Sequence, residues 1–200
     1  MTVPSRVEAA TLLRSLEPPP WFVAHARAVA EVAAWLARAI ERRGTAVDRA
    51  AVEAAALLHD VDKILPGSDP ARALRHGDGS ADWLRRQGHG ELARLVAGHP
   101  VTRLADAEAF RRWAAFASRE ERIVAYADKR AGQRLESMDA RFASWARRYP
   151  GAWDAATAAA VRARAGRLEA DVCGAAGVTP PEVGRLAWTA AAWRTVRTAA

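Results

Sequence analysis

A chain of 200 residues, half of them apolar, can bury one substantial core but is too short for two large ones. The longest apolar stretches, such as Ala54 to Leu58, fall far short of the roughly 20 residues of a membrane span, and the single Cys173 excludes an internal disulfide framework. The net charge of +7 resides in arginine, Lys63 and Lys129 being the only lysines among 30 basic residues. Scattered arginines of this kind serve first as solvated surface. They suit nucleotides or other phosphorylated small molecules better than duplex nucleic acid, which calls for a dense basic tract. The start, Met1 to Arg6, lacks the basic opening and apolar centre of a secretory signal, so a soluble, cytoplasmic protein without membrane contact is expected.

Ala, Leu, Arg and Glu recur at three- and four-residue spacing while alternating β-branched runs are nearly absent, which predicts an all-α fold. An N-terminal amphipathic piece ends at Pro18-Pro19-Pro20. The next helix runs from Trp21 to about Arg43, sets His25, Val29, Val32 and Leu36 on one face, and stops at Gly44. Asp48 caps a third helix in which Val52, Ala55, Ala56 and His59 share a face, with Pro66-Gly67 closing the segment. Asp69-Pro70 starts another, and Gly77 and Gly79 interrupt the pattern after His76, leaving that histidine at a helix boundary before a helix over Ser80 to Gln87. A short helix from Glu91 ends in Gly98-His99-Pro100. Ser118-Arg119-Glu120-Glu121 has the form of a capping box and opens a helix with Ile123, Val124, Ala127, Asp128 and Ala131 inward. After Pro150-Gly151 come a long Ala-rich helix to about Gly174, a turn over Gly177 to Pro181, and a Trp-containing C-terminal helix.

The segment Leu57-Leu58-His59-Asp60-Val61-Asp62-Lys63 leads an apolar helical face into a histidine and a carboxylate. A buried carboxylate needs a hydrogen bond, a proton or a cation, so a metal site is the natural hypothesis. Imidazole and carboxylate together suit Zn, Mn, Fe, Co or Ni and, with further oxygens, Mg. On a helix the two neighbours point about 100° apart, so one can ligate a first ion while the other reaches towards a second. Singly, each candidate has a plainer explanation. His25 and His99 could be hydrogen-bonded core residues, His76 a helix-end cap, and Asp128 half of an ion pair with an arginine. Inward His, His-Asp, two boundary histidines and a final inward Asp on separate helices form the pattern by which bundles build a metal site. Asp62 is placed to accept a hydrogen bond from a ligand histidine or to orient water, and His89, at a turn, is read as surface.

The order His25, His59-Asp60, Asp128 resembles the HD-domain phosphohydrolase superfamily over roughly residues 20 to 135. Leu57 to Lys63 is similar to that family's LLHDxxK helix end, and Ile123 to Asp128 to its late IVxxAD helix. His76-Gly77 and Gly98-His99 resemble the two additional histidines of its binuclear branch, which includes bacterial diadenosine tetraphosphate hydrolases. The resemblance implies an HD-type helical bundle over 1–135 with a helical extension over 136–200 packed on the same domain. It also implies two divalent ions, the first held by His25, His59, Asp60 and Asp128, the second by Asp60, His76 and His99. Catalysis would rest on Asp60 and Lys63, with a metal-activated water cleaving a phosphoester or phosphoanhydride. Lys63 would hold a substrate phosphate, joined by Lys129 and Arg130.

Two other functions share these ligands: a di-iron oxygenase of the same superfamily, and a non-enzymatic nucleotide sensor with a structural metal. Beyond Ser137 no chemical signature is legible. Met138, Phe142, Trp145, Tyr149 and Trp153 read first as core, with a lid or the face of a homodimer as alternatives.

Overall fold

The structure, a computed structural model, describes residues 3–183. Its described residues form helices and turns without a strand, confirming the all-α expectation. Most helix starts follow from local hydrogen bonding at the N-terminus. Helix α1 (Arg6–Arg14) opens with a capping box between Ser5 and Glu8, and α2 (Pro20–Arg42) places a proline at its first position, where no amide hydrogen is needed. Asp48 caps α3 (Arg49–Leu58). Helices α4 (Asp78–Arg86) and α5 (Gly90–Ala97) follow. Asp106 caps α6 (Ala107–Phe116), and the Ser118/Glu121 capping box opens α7 (Arg119–Asp128). Ser137 caps α8 (Met138–Arg148), Asp154 caps α9 (Ala155–Ala176), and Gly177 ends α9 in a left-handed conformation before the short α10 (Pro180–Val183). The expected Trp-containing C-terminal helix lies outside the described residues.

The core is built around α2, which buries Phe22, Ala26, Val29, Ala33, Leu36 and Ile40 and packs on α3, α7 and α9. Alanines along α2 and α3 let the two helices approach closely, and α5 and α7 pack on α3 from the other side. Most of α7 is buried, so Asp128 at its end emerges from an apolar surround. A polar network ties α7 to α9: Tyr126 donates from its hydroxyl to Glu169, 2.8 Å away, and accepts from Arg130, 2.7 Å away. No described helix is long and apolar enough to cross a membrane.

Three local readings are corrected by the fold. Helix α3 ends at Leu58, so His59 is its C-cap and Asp60 precedes a 3-10 turn over Val61–Lys63. Asp69-Pro70 starts a 3-10 turn (Pro70–Ala73), not a full helix, its cap serving only Ala71. Helix α6 was not anticipated because Phe110 is its one buried residue, which leaves little apolar periodicity to read.

One carboxylate in the core stands apart from all of this. Glu31 on α2 is 1% exposed, and neither of its oxygens has a hydrogen-bond partner among the described residues. Burial pushes it up to about 7 against the pull of Arg6, Arg27 and Arg38, whereas an unfolded glutamate titrates near 4.5. A folded-state value above the unfolded one means that the stability held at low pH is lost as pH rises through about 7. Glu31→Gln should therefore raise the melting midpoint by a few degrees at about pH 8.5 and leave it nearly unchanged at about pH 5, read by circular dichroism melts of parent and variant.

Candidate metal centre

The candidate ligands come from five places in the chain. His25 lies in the second turn of α2, His59 and Asp60 follow α3, His76 precedes α4, His99 follows α5, and Asp128 ends α7. His59 and His99 reach the site by the same device. Each sits just past a helix end and turns its Nδ1–H back onto a carbonyl of the last turn, Ala56 at 2.8 Å and Val96 at 2.6 Å. The His25 Nδ1–H donates to the Gly132 carbonyl at 2.9 Å, and that of His76 to Asp62 Oδ2 at 2.9 Å. With every Nδ1 beside an oxygen acceptor, each Nε2 can give up its proton and offer a lone pair to an ion.

Those lone pairs converge. His25 Nε2 and His59 Nε2 are 3.2 Å apart, with Asp60 Oδ2 3.3 and 3.5 Å from them and Asp128 Oδ1 3.6 and 3.7 Å away. On the other side of Asp60, Oδ1 lies 3.1 Å from His99 Nε2 and 3.2 Å from His76 Nε2. Asp60 thus turns one oxygen towards His25, His59 and Asp128 and the other towards His76 and His99. Separations of this size are those of atoms about 2.0–2.2 Å from a shared ion. Facing acceptors repel unless a proton or a cation lies between them, and the donor set of imidazole nitrogen and carboxylate oxygen fits a divalent cation. The combinations His25/His59/Asp128, His59/Asp60/His99 and Asp60/Asp62/His76 each bring ligand atoms within 4.8 Å of one another.

The electrostatics record the same crowding. Burial would raise the Asp60 carboxyl, but His59 and Lys63, with hydrogen bonds from His25 and His76, hold it well below the usual carboxylate range. Asp128 is likewise held low, chiefly by His59 and Lys129 against its burial. Burial drives His99 down to about 4, so it is neutral and ready to ligate. His76, less buried, is raised to about 9 because hydrogen bonds to Asp60 and Asp62 outweigh its desolvation. Lys63 sets its ammonium 2.6 Å from Asp60 Oδ2 while staying 43% exposed, so the same cation also faces outward.

Two glycines shape this corner. Gly77 has φ +86° and donates its amide hydrogen to Asp62 Oδ2 at 3.0 Å, and a Cβ there would meet Pro100 Cγ at 2.7 Å. A Cβ on Gly79 would meet Asp62 Cβ at 2.9 Å. The pair holds Asp62 against the loop that carries His76.

Four of the candidate ligands, His25, Asp60, His76 and Asp128, form the floor of a cavity of about 1430 Å³, which Lys63 and residues of the segment after α7 also line, while His59 and His99 lie buried beneath it. Lys129 and Arg130 do not reach it, which corrects their expected contact with substrate. Lys129 is 1% exposed and donates to the carbonyls of His99 and Ala125, and Arg130 is 2% exposed and bound to Glu136, Tyr126 and Pro180. Both side chains serve to fix backbone. His89 lies away from the cluster, 3.7 Å from Glu91.

The aromatic segment is divided. Met138 joins the core, whereas Phe142, Trp145, Tyr149 and Trp153 line the cavity. Sequence reasoning missed the Gly132 carbonyl that orients His25, since any residue supplies a carbonyl, and Arg141 on the cavity wall, whose significance depends on what packs beside it.

A family model described as the HD domain matches residues 22–132. The chain belongs to the HD-domain family. HD domains bind divalent metals, and the family generally contains metal-dependent hydrolases. No curated protein and no solved structure matches the chain. In this HD domain the match begins at the first turns of α2 and ends at Gly132, so it spans every candidate ligand and leaves α8 and α9 outside.

A divalent ion should stabilise the fold, because ions bind the assembled ligands and not the dispersed ones. Mn(II) at 100 times its dissociation constant should add about 2.7 kcal/mol and raise the melting midpoint by several degrees, with EDTA reversing the shift. Asp128→Asn should blunt the response. An unchanged midpoint across Mn(II), Co(II), Zn(II) and Mg(II) would count against a metal centre.

Proposed function

We propose that this HD domain hydrolyses a phosphoester or phosphoanhydride in a nucleotide or related phosphometabolite and holds two divalent ions to do so. The observation that carries the reading is the division of Asp60, whose two oxygens face two separate groups of imidazole nitrogens at and just beneath the floor of a large cavity. His25, His59, Asp60 and Asp128 would hold the first ion, and Asp60, His76 and His99 the second. When bound, such ions supply Lewis-acid activation of water and neutralise charge on the phosphoryl oxygens.

The protein's own groups do the remaining work. Asp62 accepts the His76 Nδ1 proton, and the carbonyls of Gly132, Ala56 and Val96 accept those of His25, His59 and His99, so all four rings keep Nε2 towards the floor. Lys63 stands at the rim with its ammonium on Asp60 Oδ2 and part of its surface open to the cavity. Its charge meets the phosphoryl oxygens of a substrate lying over the floor, where an ammonium gives up to three hydrogen bonds. A cavity larger than the roughly 300–1,000 Å³ of ordinary small-molecule sites suits a substrate with substance beyond the phosphate group.

The deciding experiment is metal analysis of the purified protein with a phosphate-release screen over nucleotides, dinucleoside polyphosphates and sugar phosphates in Mn, Co, Fe and Mg. Turnover of any of these supports the reading. A di-iron protein inert to all of them and consuming dioxygen would replace it with oxygenase chemistry, and a metal protein that binds nucleotides without turning them over would make it a sensor.

Metal content should fall in steps. Asp60→Ala removes a ligand from both ions and should leave the chain nearly metal-free, while His76→Ala or His99→Ala should retain about one ion, fold normally by circular dichroism, and lose most activity. A parent that takes up one ion, with neither histidine variant changing content or activity, would reduce the centre to His25, His59, Asp60 and Asp128.

Lys63→Ala should keep the parent's metal content and lower kcat/KM by about 10²-fold, the loss typical of one donor to a developing oxyanion. Equal activity in variant and parent would assign Lys63 to the support of Asp60 alone.

A further inference from the structure

The cavity extends well past the ligands, and its far wall comes from α8, the segments on either side of it and the start of α9, outside the residues matched by the family model. That wall is aromatic and rich in arginine, with Glu136 and Asp139 as its carboxylates. Of its arginines, Arg162 is engaged, donating from Nε and Nη2 to Asp139 Oδ1 at 3.0 and 2.7 Å. Arg141 is not. Its Nε is buried without a hydrogen-bond partner, and it makes no ion pair among the described residues. The guanidinium instead lies over the Trp145 ring, 4.6 Å from its centroid, one turn along the same helix. On its other side it abuts Gly132: a Cβ at that glycine would stand 3.5 Å from Nη1. Gly132 is the residue whose carbonyl orients His25, so Arg141 borders the metal centre while facing the cavity. Glu136, whose carboxylate lies against the same glycine, leaves Arg141 without an ion pair.

A half-buried guanidinium with an unsatisfied N–H is costly unless an acceptor arrives, and a stacked, planar fork is suited to a bidentate oxyanion. We infer that Arg141, held flat by Trp145, is the subsite for a second phosphate of the substrate, the one that is not attacked, and so selects diphosphate-containing compounds over simple monophosphates. This rests on the proposed phosphate chemistry of the site. Stacking on Trp145 removes rotamer freedom from the long side chain in advance, so less is lost when the phosphate binds. Gly132 contributes by its lack of a side chain, since a Cβ there would meet Glu136 Oε1 at 2.5 Å and Arg141 Nη1 at 3.5 Å.

The test is calorimetric binding of inorganic pyrophosphate and of inorganic phosphate to the full chain loaded with Mn(II), for the parent, Arg141→Gln and Arg141→Lys. Metal content and circular dichroism serve as controls. Arg141→Gln should weaken pyrophosphate by about tenfold or more and phosphate by less than about twofold, and Arg141→Lys should fall between, since it restores the charge without the planar fork. Equal weakening of both anions, weakening of neither, or a parent that fails to take up Mn(II) or to bind pyrophosphate would each overturn the assignment. Because the readout is binding, failure of the hydrolase reading shows separately: a chain that hydrolyses no phosphate compound yet loses pyrophosphate selectively in Arg141→Gln keeps the subsite and loses the activity.

Discussion

Asp60 and Asp128 are buried in the middle of a helical core, and four imidazoles face them through Nε2. Charge in such a place is tolerated only where something compensates it, since desolvation of an unpaired carboxylate is among the largest penalties a fold can carry. Much of the surrounding architecture serves that compensation. Lys63 brings positive charge to Asp60 and Lys129 to Asp128, and the Nδ1 protons are drawn to carbonyls and to Asp62. A divalent cation would complete the set, and folding and metal binding would then be thermodynamically one process.

The division of labour among the helices follows from this constraint. Small residues on α2 and α3 bring their backbones close enough for His25 and His59 to meet at 3.2 Å, which larger side chains on the facing surfaces would prevent. Helix ends supply the rest. His59, His99 and Asp128 all sit where a helix stops, and there a side chain can be aimed without being fixed by the helical repeat. The two lysines show how little sequence proximity settles. Lys63 stays at the cavity rim, while Lys129, beside a ligand, is spent on the carbonyls of His99 and Ala125 and thereby clamps the end of α5 to α7.

Outside the matched segment, α8 and α9 relate to the site differently. Helix α9 packs on α2 and α7 and is bound through Tyr126 and Arg130, so it buttresses the core. Helix α8 has only Met138 buried and offers Phe142, Trp145 and Arg141 to the cavity. A family-wide metal floor beneath a wall built by residues outside the matched segment is an arrangement in which chemistry and selectivity can vary separately.

Much of the fold and of the metal floor was readable from the sequence because both depend on short-range rules. Helical periodicity, the capping boxes at Ser5 and Ser118, and the stops at Gly44 and Gly177 are local, and His59-Asp60 after an apolar face announces a buried charge whatever surrounds it. Asp62 was legible as a partner for a ligand histidine on the same grounds. What the sequence could not decide depends on which distant residues meet. Whether Lys129 and Arg130 face substrate or hold backbone turns on the positions of His99, Glu136 and Pro180, and the sharing of Asp60 between two groups of histidines exists only once five segments are assembled. The roles of Gly132 and Arg141 belong wholly to tertiary structure. A carbonyl is common to every residue, and an arginine among 30 basic residues becomes distinctive only when its neighbours leave it stacked, half-buried and, among the described residues, without a counter-ion.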